Sequence, residues 1–315
     1  MARFSFPDIH LAEAYIDPVF RNSPLFESET LGKLFDCRLF LKVETLNPIR
    51  SFKGRGADLL THYSKDKSIM CASAGNFGQA MAWCCRKKGI ELIVYASVHA
   101  NPLKVLRMKE FGADVILEGD DFDAAKSIAR NVASRRGIRF VEDSLDVETV
   151  VGAGTIGLEL FDNEINTTFD LVVVPLGNGA LVNGIGMAAK GYNSTSRIMA
   201  VQSRNASAMI DSWTAGRIVT HEKIDTIADG IGVRIPVPEA VAEVSELIHE
   251  GVLVEEESII KAMQLIRLHT GILVEPSAAV GLAALMENRE LFAGKTVVLV
   301  LTGSNLTEQQ MFDWF

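Results

Sequence analysis

The sequence predicts an α/β protein made of two open, mostly parallel sheets flanked by helices. Three observations predict it. Short runs rich in β-branched residues recur along the chain, and they are almost wholly apolar instead of alternating, as strands buried on both faces should be. Each is followed by a longer amphipathic stretch with helical spacing. Several of those stretches end on a glycine, the residue that best accepts a left-handed C-terminal cap.

Taken in order, the predicted strands are Leu39–Val43, Ser68–Ala72, Leu92–Ala96, Asp114–Leu117, Leu171–Pro175, Arg197–Gln202 and Thr296–Thr302. The predicted helices are Phe77–Lys88, Pro102–Phe111, Phe122–Arg135, Leu181–Lys190, Glu239–Glu250 and Glu256–Thr270, with Gly89, Gly112, Gly137 and Gly271 as stops. A short apolar helix is expected around Ala57–Leu60, and the first 40 residues show no clear sheet pattern. Strand and helix alternating on this scale imply parallel sheets joined by right-handed crossovers.

Composition narrows the function. The chain has 315 residues, a length for which two lobes are the natural expectation. Apolar residues make up 48% and charged residues 23%, enough to bury a large core without cross-links. A net charge of −9 argues against a nucleic-acid binder, which usually presents a basic face. No secretory signal is visible, and no apolar run reaches the roughly 18 residues that span a bilayer. The cysteines, Cys37, Cys71, Cys84 and Cys85, have neither zinc-site nor C-x-x-C spacing. They read as buried free thiols of a cytoplasmic protein with neither nucleic-acid nor membrane partners.

In open α/β sheets ligands sit beyond the carboxyl ends of the strands. Three strand ends stand out. Ser73-Ala74-Gly75-Asn76 opens a helix whose free N–H groups and positive dipole end suit a carboxylate or phosphate, although taken alone an ordinary capped helix start is the readier explanation. Gly177-Asn178-Gly179 follows another strand, and its backbone can turn successive N–H groups around an anion; a tight turn without a ligand would favour the same residues. Thr302 brings a hydroxyl to the end of a third. Gly152-Ala-Gly-Thr-Ile-Gly157 matches a dinucleotide fingerprint by letter only, because neither a preceding buried strand nor a suitably placed acid accompanies it.

Lys53 decides between these readings. Most lysines are solvated surface amines. This one lies between Phe52 and Gly54 where a turn runs into an apolar helix, and Arg50 and Arg55 flank it. Partial desolvation beside like charges would make the amine nucleophilic. A reactive lysine, a carboxylate site and a phosphate cradle have one common use, pyridoxal phosphate chemistry.

The chain resembles the β-family, or fold type II, of pyridoxal-phosphate enzymes, which has the fold of the tryptophan synthase β chain and includes threonine and serine dehydratases. The resemblance runs from about residue 20 to 310, with landmarks in family order. Ser51-Phe-Lys-Gly-Arg-Gly-Ala57 is similar to the dehydratase lysine motif and implies that Lys53 forms the Schiff base, with Phe52 beside the cofactor. Ser73-Ala74-Gly75-Asn76-Phe77 resembles the asparagine loop; it implies that Asn76 bonds the cofactor ring oxygen while Ser73 to Phe77 hold the substrate carboxylate. Gly177, Asn178, Gly179, Ala180 and Leu181 stand at the phosphate loop, and Thr302 at the position facing the ring nitrogen. Gly152–Glu159, Thr226–Ile231 and Glu275–Ala279 are similar to further dehydratase segments.

The resemblance implies a smaller α/β domain over 41–142 carrying the asparagine loop, and a larger one from 1–40 plus 143–315 carrying the phosphate loop and Thr302. It also implies a homodimer and, with the chain ending at Phe315, no added regulatory domain. The expected activity is ammonia-lyase chemistry, β-elimination from a 3-hydroxy amino acid such as L-threonine or L-serine. β-Replacement of the threonine synthase kind, or a non-catalytic cofactor-binding sensor, are the alternatives. Departures from the pattern inform this. The phosphate loop reads Gly-Asn-Gly-Ala, Phe77 replaces a usual histidine, and Ala74 replaces the serine that serves a racemase as second acid/base. Gln202 and Ala208 stand where a racemase-like metal site needs acids, so no metal is expected. Arg50 replaces a common glycine and is expected to face solvent.

Overall fold

A computed structural model describes residues 2–162 and 165–315. Among these, ten strands form two sheets. They are β1 (Leu25–Glu27), β2 (Arg38–Val43), β3 (Ser68–Ala72), β4 (Glu91–Ala96), β5 (Asp114–Leu117), β6 (Arg139–Val141), β7 (Leu171–Pro175), β8 (Arg197–Ser203), β9 (Glu250–Val254) and β10 (Thr296–Leu301). The larger sheet has the order β1-β2-β10-β7-β8-β9, parallel throughout except for β1, which runs antiparallel to β2 at its edge. The smaller sheet, β5-β4-β3-β6, is wholly parallel.

The central strands are apolar because helices cover both their faces. Every residue of β7 is buried, and β10 is buried from Val297 onward. Leu299 on β10 is covered by Gly281 of helix Pro276–Glu287; burying a leucine side chain at such depth contributes about 2–3 kcal/mol. The glycine stops hold: Gly89, Gly112, Gly137 and Gly271 all have positive φ.

The boundaries differ from the sequence expectation in instructive places. β2 pairs with β10 along its whole length, so residues 41–43 belong to the larger sheet, outside the small domain expected to begin at 41. β1, β6 and β9 escape sequence reading because their residues are mostly half-exposed and carry no continuous apolar run. The helix expected over Glu239–Glu250 is Pro238–Leu247; His249 N then bonds Ile198 O at 2.9 Å, and Glu250 starts β9 beside β8. Chain pairing at a sheet edge overrides helical spacing there.

The apparent dinucleotide fingerprint lies inside helix Val147–Phe161, where its glycines serve close packing. A methyl group on Gly152 would come within 2.6 Å of Arg55 O, and one on Gly154 within 2.8 Å of Ile9. One on Gly157 would meet Ala188 at 2.5 Å.

Below helix Lys53–Tyr63 the buried Arg55 directs its guanidinium to Glu44 (2.8 and 3.0 Å), Glu159 (2.5 and 3.0 Å) and Thr155 (3.1 Å), and Lys42 also pairs with Glu159. Burial disfavours the Arg55 charge, but Glu44 and Glu159 outweigh it and hold its pKa above the ordinary value. Burial likewise opposes the Glu159 carboxylate, yet Arg55 and Lys42 bring its pKa down to about 2. All four cysteines are free, with Cys71, Cys84 and Cys85 buried and Cys37 half-buried. Burial pushes the Cys37 thiol to about 11 and the Cys85 thiol to about 12, and raises Cys71 and Cys84 as well. Among the described residues no helix is long and apolar enough to cross a membrane.

Candidate active site

The loops after β2, β3, β7 and β10 open on one cavity of about 440 Å³ between the two sheets. Phe52, Lys53, Ser73, Ala74, Gly75, Asn76, Phe77, Gly177, Asn178, Gly179, Leu181 and Thr302, all singled out from sequence, line it. Ala180 does not line it; it is the first residue of helix Ala180–Gly191, whose N-terminus lies at the loop. Arg50 is exposed and outside the lining, at φ 52°.

Lys53 reaches the cavity from the first turn of helix Lys53–Tyr63. Phe52 N donates to Thr302 O at 3.1 Å, tying the lysine loop to the end of β10. The electrostatic surroundings expected for Lys53 are corrected by the structure. Arg55 points away into its buried carboxylates, and Arg50 is at the surface; the charge facing the amine is the Asp143 carboxylate. Lys53 Nζ pairs with Asp143 Oδ2, and each side chain is only 13% exposed. Asn178 Nδ2 donates to the same oxygen at 2.6 Å.

In the asparagine loop, the Ser73 hydroxyl accepts from Gly78 N at 2.9 Å and Gly75 N at 3.2 Å, which caps helix Asn76–Lys88. The Asn76 side chain is fixed from both ends. Its Nδ2 donates to Glu275 Oε1 at 2.6 Å, and its Oδ1 accepts from Asn305 Nδ2 at 2.8 Å. Glu275 also accepts from Asn305 N at 2.9 Å. Gly303 is what lets these groups approach, because a methyl group there would stand 2.5 Å from Glu275 Oε1 and 3.0 Å from Asn76 Nδ2. Burial raises the Glu275 pKa, against the opposing pull of Lys104. Lys104, itself buried, pairs with Asp229; burial opposes its charge, but Asp229 and Glu275 outweigh it and its pKa is raised.

Gly177, Asn178 and Gly179, expected from sequence to hold a phosphate, line the cavity just before helix Ala180–Gly191. Gly179 has φ 101°, a conformation that L side chains rarely adopt, and an added methyl would press on Ala240 and Asn183 at 3.2 Å. The helix that follows has N–H groups in its first turn with no carbonyl a turn earlier, and its dipole is positive there. The Ser277 hydroxyl, which also lines the cavity, is buried without a hydrogen-bond partner among the described residues. A primary amine, an anion cradle, a neutral hydroxyl at Thr302, an anchored amide at Asn76 and a spare buried hydroxyl suit a phosphorylated aldehyde with a heteroaromatic ring.

Asp143, Lys104, Asp229, Glu275, Ser277 and Asn305 complete the site and were not assigned roles from sequence. Asp143 follows β6, so recognition of that three-residue strand would have placed it at a strand's carboxyl end. Glu275 was visible as the residue preceding Pro276 at a helix start.

Comparison with known proteins matches residues 16–303 to the family described as pyridoxal-phosphate dependent enzyme. The catabolic L-threonine dehydratase TdcB of Staphylococcus aureus is 34% identical over 310 residues, covering 96% of this chain and 89% of that protein. Among solved structures, a threonine deaminase from T.th. superposes with a TM-score of 0.90 at 29% identity, covering 96% of this chain and 99% of that one. Maize serine racemase superposes with a TM-score of 0.91 at 25% identity, covering 98% and 96%.

Proposed function

Because the chain belongs to the pyridoxal-phosphate dependent enzyme family, we propose that it is an ammonia-lyase. Its reaction is β-elimination from a 3-hydroxy amino acid, L-threonine or L-serine, giving a 2-oxo acid and ammonia. The observation that carries this reading is the meeting of four strand-end loops, one of them carrying Lys53, at one cavity, together with the dehydratase and deaminase likenesses.

Lys53 would hold the cofactor covalently, Asn76 its ring oxygen, Gly177 to Leu181 its phosphate, and Thr302 its ring nitrogen. When bound, pyridoxal phosphate supplies a sink for the electron pair left at the substrate's Cα. The remaining work falls to the protein. Ser73 Oγ engages the N–H groups of Gly75 and Gly78, so the substrate carboxylate docks on those of Ala74, Asn76 and Phe77. Lys53 Nζ is the group that would remove the Cα proton as general base. Thr302, a neutral hydroxyl on the cavity wall, would partner the ring nitrogen less strongly than a carboxylate and so favour loss of the β-hydroxyl over transamination. The β-hydroxyl leaves as water, balanced by the proton taken from Cα, and water then hydrolyses the released 2-aminoacrylate-type product to the 2-oxo acid and ammonia.

Incubation of the purified protein with threonine or serine alone tests this. Release of ammonia and oxo acid in equal amounts is expected. Absence of both, with a new β-substituted amino acid formed once a nucleophilic second substrate is added, would assign β-replacement instead. The same reading places the chain in the cytoplasm as a homodimer, which sedimentation analysis would check. It also assigns the two sheets to two lobes that meet at the cavity.

A further inference from the structure

We propose that Asp143 reads the substituent at C3 of the substrate, accepting a hydrogen-bond donor there and rejecting an anion. The proposal rests on the lyase reading above and deepens it. Both donors on this carboxylate, Lys53 Nζ and Asn178 Nδ2, engage the same oxygen, Oδ2. Among the described residues Oδ1 has no donor within hydrogen-bonding distance. The Asn178 contact fixes the carboxylate against the phosphate loop, and the Lys53 contact fixes it where the reacting amine works.

Once Lys53 Nζ serves as a neutral base at Cα, Asp143 loses its charged partner and keeps Asn178. A largely buried carboxylate holding only Asn178 on Oδ2 gains from a further donor on Oδ1. C3 is bonded to the Cα on which that amine acts, and with the carboxylate and the amino nitrogen held elsewhere its substituent is the candidate donor. A hydroxyl supplies the donor, and an ammonium supplies it with charge. A carboxylate at C3 would meet Asp143 as a like charge in a poorly solvated place.

Nothing else in the lining offsets that repulsion. Among the described residues lining the cavity, the only cations are Lys53 and Lys104, and Lys104 is already paired with Asp229 and lies close to Glu275. Arg50 and Arg107 are not part of the lining, and Arg107 donates to Asn305. The site therefore disfavours 3-hydroxyaspartate as a substrate and admits serine, threonine or a 3-amino analogue.

Asparagine and aspartate make an isosteric pair that differs at this point alone, and neither has a leaving group at C3. Titration of the cofactor's visible absorption in the holoenzyme gives their dissociation constants. Asparagine is expected to bind at least about tenfold more tightly than aspartate. In Asp143→Asn the ratio is expected to fall to about threefold or less, while Asp143→Glu, which keeps the charge, retains the preference for asparagine. Asp143→Ser serves in place of the asparagine variant if that one fails to fold. An unchanged ratio in the neutral variant overturns the assignment of Asp143, as does equal binding of the two ligands by the wild type. β-Chloroalanine, whose chloride leaves without a proton, separates the two levels: no oxo acid from it with the wild-type enzyme removes the lyase reading itself, whatever the binding ratio.

Discussion

Lys53, at the start of one helix, and Glu159, which pairs with Arg55 of that helix from another, show how differently neighbouring charges are used. Lys53→Ala is expected to abolish turnover and to prevent borohydride from fixing the cofactor to the chain, as read by mass spectrometry of the treated protein. Covalent fixation elsewhere would remove Lys53 from its role. Glu159, whose side chain is 10% exposed, serves stability. Its folded pKa of about 2 lies below the ordinary 4.5, so its contribution is full above 4.5 and is lost as the pH falls toward 2. The difference corresponds to about 3 kcal/mol, and Glu159→Gln is expected to flatten the acid limb of a stability-against-pH curve from denaturant unfolding. At this scale the sequence reading located the amine and the loop residues, because strand-end positions and residue types are local. It misjudged what surrounds Lys53, since Asp143 lies 90 residues away along the chain. It also left Glu275 and Asn305 without the joint task of holding Asn76.

The elements that were legible are those whose burial writes itself into a run of like residues. β3, β4, β7, β8 and β10 were found from apolar content, and helix Asn76–Lys88 from its spacing and glycine stop. β1, β6 and β9 were hidden because an edge position or a short length leaves their residues half-exposed. Helix Val147–Phe161 was obscured for the opposite reason, since it is buried nearly all round and shows no polar face. The turn into helix Ala180–Gly191 depends on the left-handed Gly179. Gly179→Ala is expected to strain that turn by about 1–2 kcal/mol and to weaken pyridoxal phosphate binding about tenfold, measured by loss of its absorption band on dilution. An unchanged affinity would show that the phosphate is held elsewhere.

Across the whole molecule, polar ties join the part carrying β3 to β6 with the part carrying β7 to β10. Asn76 meets Glu275, Lys104 meets Asp229, Arg107 meets Asn305, and Arg234 Nε meets Asp123 at 3.0 Å. Asp229 is the most exposed of the acids in these ties, and its loss leaves the buried Lys104 short of a partner. Asp229→Asn is expected to raise KM several-fold with a smaller change in kcat, read from steady-state ammonia release; equal effects on both would assign the pair to the chemical step. None of these pairings is visible in local sequence, because each spans more than 100 residues. The concealed thiols supply a means of watching this assembly come apart. A chromogenic disulfide reagent at neutral pH should find Cys37 alone in the native protein, and slowly, whereas denaturant should bring all four sulfurs into reaction. The lag before the other three are consumed is then a clock for global opening, and a saturating ligand in the cavity should lengthen it.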